Sequence, residues 1–95
     1  MTIKATIDHE NVKYAISDNG YILALDNNEN ELFKYPIEDA TKIETEINLN
    51  NGSYHSAKLT FPDRVINLKK SPDLKLFVDA FEDEIEKAKE RYKKH

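Results

Sequence analysis

This chain of 95 residues contains three histidines that could take part in chemistry. His9 lies between Asp8 and Glu10, and imidazole and carboxylate groups together can bind a metal ion. Adjacent residues on a strand point to opposite faces, so these side chains do not converge, and we predict a solvated turn. His55 is predicted at the surface or rim of a sheet, and His95 at a frayed C-terminus. The histidines therefore predict no metal site.

Acidic runs are the second candidate for chemistry. The run 26–31 has the composition of a calcium loop, but it lacks the central glycine and the closing glutamate of an EF-hand. The run Glu82–Glu84 offers adjacent carboxylates for acid–base catalysis, but the helical pattern predicts that it is exposed and solvated. Glu44 and Glu46 are predicted on the polar face of a strand, where they favour solubility and edge protection.

Other reactive groups are sparse. The chain has no cysteine, which excludes disulfides and thiolate metal sites. None of the serines has the sequence context of a nucleophile elbow; the serines considered are Ser17, Ser53, Ser56 and Ser71. Gly20 and Gly52 both follow asparagine in turns, and neither belongs to a phosphate-binding loop. We therefore predict a non-enzymatic protein with no catalytic residue, cofactor or metal, and the sequence identifies no binding residue.

The net charge of −4 is unevenly distributed. Residues 1–50 contain ten acidic residues and four lysines, a net charge of −6, whereas residues 51–95 contain eight acidic and ten basic residues, a net charge of +2. An acidic region repels phosphate backbones, so we predict no nucleic-acid partner. The basic run 87–94 is interpreted as a solvated helix end that matches the helix dipole. No apolar run has the length of a membrane span or secretory signal, which predicts a cytoplasmic protein. The length of 95 residues predicts a single domain, residues 1–95.

Alternating apolar and polar residues predict seven short strands, which must position any site. The predicted strands are Thr2–Ile7, Val12–Ile16, Tyr21–Leu25, Leu32–Tyr35, Thr41–Leu49, Tyr54–Phe61 and Val65–Leu68. Asn19-Gly20 predicts a type I′ hairpin turn, because this turn needs positive φ values. The apolar third strand is expected to be covered on both faces. In the fifth strand, one face is predicted to hold Ile43, Thr45, Ile47 and Leu49, and in the sixth, Ala57, Leu59 and Phe61 are predicted to face inward.

A long amphipathic helix is predicted over Pro72–Tyr92. Ser71 is a favourable N-cap, and Pro72 occupies the favoured first helical position. Apolar residues form one continuous stripe along it: Leu74, Phe77, Val78, Phe81, Ile85, Ala88 and Tyr92. Burial of this stripe predicts that the helix docks on the sheet.

Short connections make consecutive strands antiparallel neighbours. A flat sheet of seven strands has two open edges, so we predict a mainly β fold that curls into an open barrel or two orthogonal sheets, with the C-terminal helix at one end.

This order of elements resembles the pleckstrin-homology (PH) fold. The segment Leu32–Ile43 resembles the passage between the fourth and fifth strands of bacterial PH-like domains, where an aromatic-rich strand and an acidic turn precede a strand of alternating isoleucines. The run Leu59–Ile66, together with Pro72–Leu74 and Phe77-Val78, is similar to the last hairpin and helix of that group. The resemblance covers nearly the whole chain and is architectural.

Two departures from the PH pattern limit the functions that can be carried over. The helix has no tryptophan, and Phe81 is expected to fill that space. The first hairpin, Ile7–Lys13, is acidic where phosphoinositide-binding members are basic, so the resemblance does not imply lipid binding.

Three functions follow as hypotheses. The preferred one is a non-catalytic module for protein–protein recognition or self-assembly. The resemblance to PH-like domains implies that a peptide would add as a strand beside Lys42–Leu49, next to the C-terminal helix. A peripheral lipid binder would use Lys69, Lys70 and the tail lysines. A small inhibitor or immunity-type protein would use its acidic β surface against a basic partner. The tyrosines fit either an interface or a barrel rim: Tyr14, Tyr21, Tyr35, Tyr54 and Tyr92.

Overall fold

The computed structural model describes the backbone of residues 2–93 and the side chains of residues 2–90. It contains seven strands followed by one helix, which confirms the predicted order of elements. The elements are β1 (Ile3–His9), β2 (Val12–Ser17), β3 (Tyr21–Leu25), β4 (Glu31–Pro36), a 3₁₀ turn (Ile37–Asp39), β5 (Lys42–Ile47), β6 (Tyr54–Phe61), β7 (Arg64–Lys69) and α1 (Leu74–Lys93).

The strands form two antiparallel meanders rather than one barrel. Sheet A has the order β1-β2-β3-β4 and sheet B the order β5-β6-β7, and no strand pairing joins them within residues 2–93. The chain leaves sheet A at Pro36, which has no N–H to donate, and passes through the 3₁₀ turn, where Ile37 is only 1% exposed. The anchored turn redirects the chain, so β5 starts a second sheet and does not pair with β4.

The hairpin turns differ from the prediction. Only Gly20 has a positive φ, 89°, in the loop between β2 and β3, so the type I′ turn predicted at Asn19-Gly20 is wrong. Positive φ values at both central residues instead occur at Glu10 and Asn11, 49° and 65°, in the two-residue loop between β1 and β2. The loop after β2 is held by the buried Ser17, whose hydroxyl accepts a hydrogen bond from the Tyr21 N–H at 3.1 Å.

One hydrophobic core is shared by the two sheets and the helix. Its fully buried members include Leu74, Phe77, Val78 and Phe81 from α1. Ile85 packs against this cluster and Ala88 is 5% exposed, so the predicted apolar stripe is confirmed through residue 88. Tyr92 lies outside the described side chains.

The helix starts later than predicted. Its first residue is Leu74 rather than Pro72, and Pro72 and Asp73 form the preceding turn. The Ser71 hydroxyl accepts a hydrogen bond from the Asp73 N–H at 3.2 Å, and the Ser71 carbonyl accepts one from the Leu74 N–H at 3.1 Å. Ser71 therefore caps this turn and satisfies two N–H groups that have no intrahelical partner.

The inward faces of the strands follow the predicted alternation in most places. β3 is buried on both faces, as predicted, with Ile22 at 0% and Leu23 at 7% exposure. The inward residues predicted in β6 are also confirmed: Ala57, Leu59 and Phe61. The prediction is wrong at the end of β5, because Ile47 is 49% and Leu49 is 95% exposed. A register shift at Glu46/Ile47 breaks the alternation, and Leu49 lies in the turn beyond the strand.

Candidate functional site

The outer edge of β5 presents an open backbone, as do those of the other edge strands β1, β4 and β7. β5 pairs with β6 along its inner edge, from Lys42 opposite Thr60 to Ile47 opposite Tyr54. Its other edge is paired with no strand in the described part of the chain. An edge of this kind exposes a row of unpaired N–H and C=O groups.

The other three edge strands are in contact with neighbouring elements. On β1, Lys4 donates to Asp83 of α1 at 2.6 Å. On β7, Lys69 lies 3.4 Å from Glu10 in the first hairpin loop. The edge strand β4 is engaged from β7, where the Arg64 guanidinium carbon is 4.1 Å from the centroid of an aromatic ring of β4. Of the four edge strands, β5 is thus the one whose side chains form no ion pair or ring contact with another element within the described residues.

The side chains of β5 give this edge a defined chemical character. Lys42, Glu44 and Glu46 are exposed and alternate with the half-buried Ile43 and Thr45. The ammonium of Lys42 lies 3.7 Å from the carboxylate of Glu44, a contact within the strand. Two acidic side chains and one basic side chain therefore stand beside the open backbone.

Two exposed apolar side chains extend this surface at its C-terminal end. Ile47 and Leu49 are 49% and 95% exposed; Ile47 is the last paired residue of β5, and Leu49 lies in the turn that follows it. The turn behind them is closed by the Asn48 N–H, which donates to the Ser53 carbonyl at 2.8 Å. Together with the outer edge of β5, these residues form what we call the β5 surface, residues 42–49.

The predicted histidine positions are dispersed. His9 is at the end of β1, and its side chain is only 16% exposed, so the predicted solvated turn is wrong for this residue. It pairs with Val12 across the hairpin, and its Nε2 lies 3.9 Å from the carboxylate of Glu10. His55 is exposed on β6, as predicted. His95 lies outside the described residues.

The acidic loops border a groove between two turns. The groove has a volume of about 640 Å³ and is lined by residues 8–13 and 26–29. Within the described residues no cluster has three or more side chains arranged to hold a metal ion. In the loop after β3, the Asp26 carboxylate is bonded within its own loop: it accepts hydrogen bonds from the N–H groups of Asn30 at 2.9 Å and Asn28 at 2.8 Å. The bond from Asn30 is the main reason why the pKa of Asp26 is lowered. This carboxylate stabilises the turn in which it lies.

The acidic run of the helix contains an unexpected buried carboxylate. The prediction that Glu82–Glu84 lies on the exposed side is wrong for Glu84, which is 1% exposed. Its carboxylate is 3.0 Å from the Lys4 ammonium and 3.2 Å from that of Lys87. Asp83 shares both lysines, and the hydrogen bond from Lys4 lowers the pKa of Asp83 and raises that of Lys4. The arrangement joins β1 to α1.

The cationic and aromatic candidates are also placed by the structure. Of the predicted lipid-binding lysines, Lys69 is paired with Glu10 and Lys70 is exposed.

The four tyrosines with described side chains are half-buried: Tyr14, Tyr21, Tyr35 and Tyr54. Tyr14 and Tyr35 each contact Phe33, with ring centroids 6.2 and 5.5 Å apart. Burial raises the pKa of Tyr14. The sequence did not single out the contacts made by Arg64, because the residues involved are far apart in the chain.

Comparison with models of known protein families and with curated protein sequences finds no match. Among solved structures, the chain is similar to the crystal structure of Pyrococcus horikoshii Ph1500, with a TM-score of 0.40 and 18% sequence identity. The match covers 72% of this chain and 43% of that protein. The helix described here is not long and apolar enough to cross a membrane.

Proposed function

We propose that this chain is a non-catalytic protein-interaction module, which binds an extended segment of a partner protein along the outer edge of β5. The observation that carries the proposal is the unpaired outer edge of β5, whose side chains, unlike those of the edge strands β1, β4 and β7, form no ion pair or ring contact with another element in the described part of the chain. Main-chain hydrogen bonds to an added strand supply affinity, and alternating side chains supply specificity.

A PH-like architecture is part of the same proposal. Support comes from the order of elements, a four-stranded meander, a three-stranded meander and a C-terminal helix that packs on both sheets. No strand pairing joins the two sheets within residues 2–93, so they do not close into a barrel. The cytoplasmic location likewise stays a prediction.

The β5 surface defines the chemistry of the partner segment. Opposite charges on directly facing residues of neighbouring strands stabilise their pairing. An added antiparallel strand would therefore carry basic residues opposite Glu46 and Glu44, and an acidic residue opposite Lys42. Apolar residues at one end would cover Ile47 and Leu49, which are now exposed to solvent.

Peptides selected from a random library by the purified chain test this proposal. We expect the selected peptides to slow hydrogen exchange of the backbone amides of residues 42–47, measured by NMR. Ile47→Lys should weaken their binding about tenfold, because the Ile47 side chain is about half exposed and binding would bury that exposed part. The matched control is Leu76→Lys, which changes an apolar residue of the helix that is 67% exposed and should leave binding unchanged.

Several outcomes would contradict the proposal. These are failure to select any peptide, protection of amides away from β5, or equal weakening by Ile47→Lys and Leu76→Lys. Reproducible turnover of a small metabolite by the purified chain would contradict the non-catalytic assignment. A second copy of this chain could bind at the β5 edge instead of a different protein. Light scattering on the chain alone tests this, since a dimer with protected β5 amides would show that the partner is a second copy.

The groove between the β1–β2 loop and the β3–β4 loop favours a second candidate, an acidic inhibitor of a basic partner. It brings together carboxylates from two turns, including those of Asp8, Glu10, Asp26 and Glu29. Binding of basic peptides to this groove, and not to β5, would support this candidate over the first. The lipid-binding hypothesis has less support, because Lys69 is already paired with Glu10. Sedimentation with anionic vesicles at low salt tests it.

A further inference from the structure

Arg64 has an unusual environment at the place where the two sheets meet. It is the first residue of β7, and its guanidinium carbon lies 4.1 Å from the centroid of the Phe33 ring on β4. Its Nε–H donates to the Tyr35 hydroxyl at 3.4 Å. One face of the guanidinium therefore lies on the Phe33 ring, and its Nε–H is bonded to the Tyr35 hydroxyl, although Arg64 is exposed.

The aromatic residues beneath Arg64 form a connected cluster. The rings of Phe33 and Tyr35 are 5.5 Å apart, and Tyr35 stacks on Phe61 at 4.8 Å. Phe61 meets Phe81 of the helix edge to face at 6.3 Å. The support for Arg64 thus runs from an exposed strand end into the core, where Phe61 and Phe81 are 2% and 0% exposed.

The charge of Arg64 has no acidic partner among the residues whose side chains are described. Seven lysines lie within ion-pair distance of a carboxylate: Lys4, Lys13, Lys42, Lys69, Lys75, Lys87 and Lys89. Arg64 forms no such pair, and its one side-chain hydrogen bond uses Nε. The two terminal nitrogens therefore present N–H groups that no described residue accepts.

We infer that Arg64 is the anchor of a second binding site, which takes a carboxylate. A guanidinium presents parallel N–H groups that match the two oxygens of a carboxylate, and stacking on a ring fixes the plane of this fork before the ligand arrives. Little side-chain freedom is then lost on binding.

A carboxylate fits this place better than a phosphate. The neighbouring residue Asp63 is acidic and exposed, and Glu10 lies close enough to Tyr14 to contribute to its raised pKa. The whole chain carries a net charge of −4. Because repulsion grows with the charge of the ligand, a doubly charged phosphate monoester is disfavoured more than a singly charged carboxylate. The site is distinct from the β5 surface, because Arg64 belongs to β7 at the opposite edge of sheet B.

Benzoate, phenyl phosphate and benzamide are suitable probes, since they present a carboxylate, a phosphate and a neutral amide on the same ring. We expect benzoate to produce saturable NMR shifts of the Arg64 Nε–H and of the Phe33 and Tyr35 ring protons. Benzamide should produce none, and phenyl phosphate should bind more weakly than benzoate.

Variants of Arg64 distinguish the contribution of its planar guanidinium to binding from the contribution of its charge and from a structural role. Arg64→Lys keeps the charge but removes the planar fork, and should weaken benzoate binding about fivefold or more. Arg64→Gln should abolish it, and Lys58→Gln, which removes an exposed cation of the same sheet, should change nothing. If Arg64→Gln fails to fold, Arg64→Lys decides the test.

The inference is overturned by any of four results. They are the absence of saturable benzoate shifts, equal shifts with benzamide, unchanged affinity in Arg64→Lys, and tighter binding of phenyl phosphate than of benzoate. None of them depends on whether peptides bind at β5, so failure here is distinguishable from failure of the proposed function.

Discussion

The contact between Lys4 and the buried carboxylate of Glu84 leads to a quantitative prediction about how the helix is held on the sheets. Lys4 belongs to β1 and Glu84 to α1, and their charged groups are 3.0 Å apart. Glu84 is 1% exposed, so Lys4→Met leaves this carboxylate with Lys87, at 3.2 Å, as its remaining cation. Removing one partner of a buried ion pair is costly, because the other charge stays buried.

The expected loss follows from one charge-assisted hydrogen bond to a buried group. Such a bond contributes about 2 kcal/mol, and the full penalty of an unpaired buried charge is avoided because Lys87 remains. With a urea m-value of about 1.5 kcal/mol/M, the unfolding midpoint of Lys4→Met should fall by about 1.3 M. The same loss lowers the Tm of a domain of this size by about 10 °C.

Urea unfolding followed by circular dichroism measures this shift. The matched control is Lys75→Met, which removes an exposed helix lysine paired with Asp79 at 2.8 Å and should leave the midpoint unchanged. A double-mutant cycle with Glu84→Gln should give a coupling energy of about 1–2 kcal/mol. A midpoint for Lys4→Met that equals that of Lys75→Met would refute the reasoning.

Three further predictions concern the core, the pH dependence and one loop. Phe81→Ala, at a fully buried position between the helix and the aromatic cluster, should lower the free energy of unfolding by about 3–5 kcal/mol in urea titrations, whereas a loss below about 1 kcal/mol would mean that the helix does not dock as described. The lowered pKa of Asp83 stabilises the fold above the carboxyl's unfolded pKa of about 3.9, and this contribution is lost as pH falls through the folded value. The urea midpoint should therefore decrease on acidification, and less steeply in Lys4→Met; identical slopes would contradict this. Glu29 has a φ of 64°, which strains a residue with a side chain, so Glu29→Gly should raise the free energy of unfolding by about 0.5 kcal/mol. A lower melting temperature in Glu29→Gly would argue against strain at this position.

Much of the fold could be predicted because local patterns carry it. The alternation in β6 and the stripe on α1 each follow from the geometry of one element, and both are confirmed. A turn between β1 and β2 was predicted, but its conformation was not, because Glu10 and Asn11 are held in positive φ by the pairing of His9 with Val12, and neither residue is a glycine. Leu49 was assigned to a strand because the alternation continues in the sequence beyond the last paired residue.

The candidate sites show the same division between local and long-range information. Residues 42–47 could be identified as a strand, but its status as an open edge depends on which strands pair, and that is decided by the whole chain. Nothing near Arg64 in the sequence indicates that Phe33 and Tyr35 would lie beside it. The long-range contact between Lys4 and Glu84 is equally invisible, since an acidic run on a helix normally faces solvent.

The sequence by itself therefore determined the elements: seven strands and an amphipathic helix, together with the absence of cysteine chemistry and the acidity of the first fifty residues. These depend on the backbone preferences and the periodicity of neighbouring residues. Only the tertiary structure decided that the strands form two sheets, that β5 has an open edge, that Glu84 is buried and that Arg64 lies on an aromatic ring. Each of these depends on contacts between residues distant in the chain, which form only when the sheets and the helix pack around their common core.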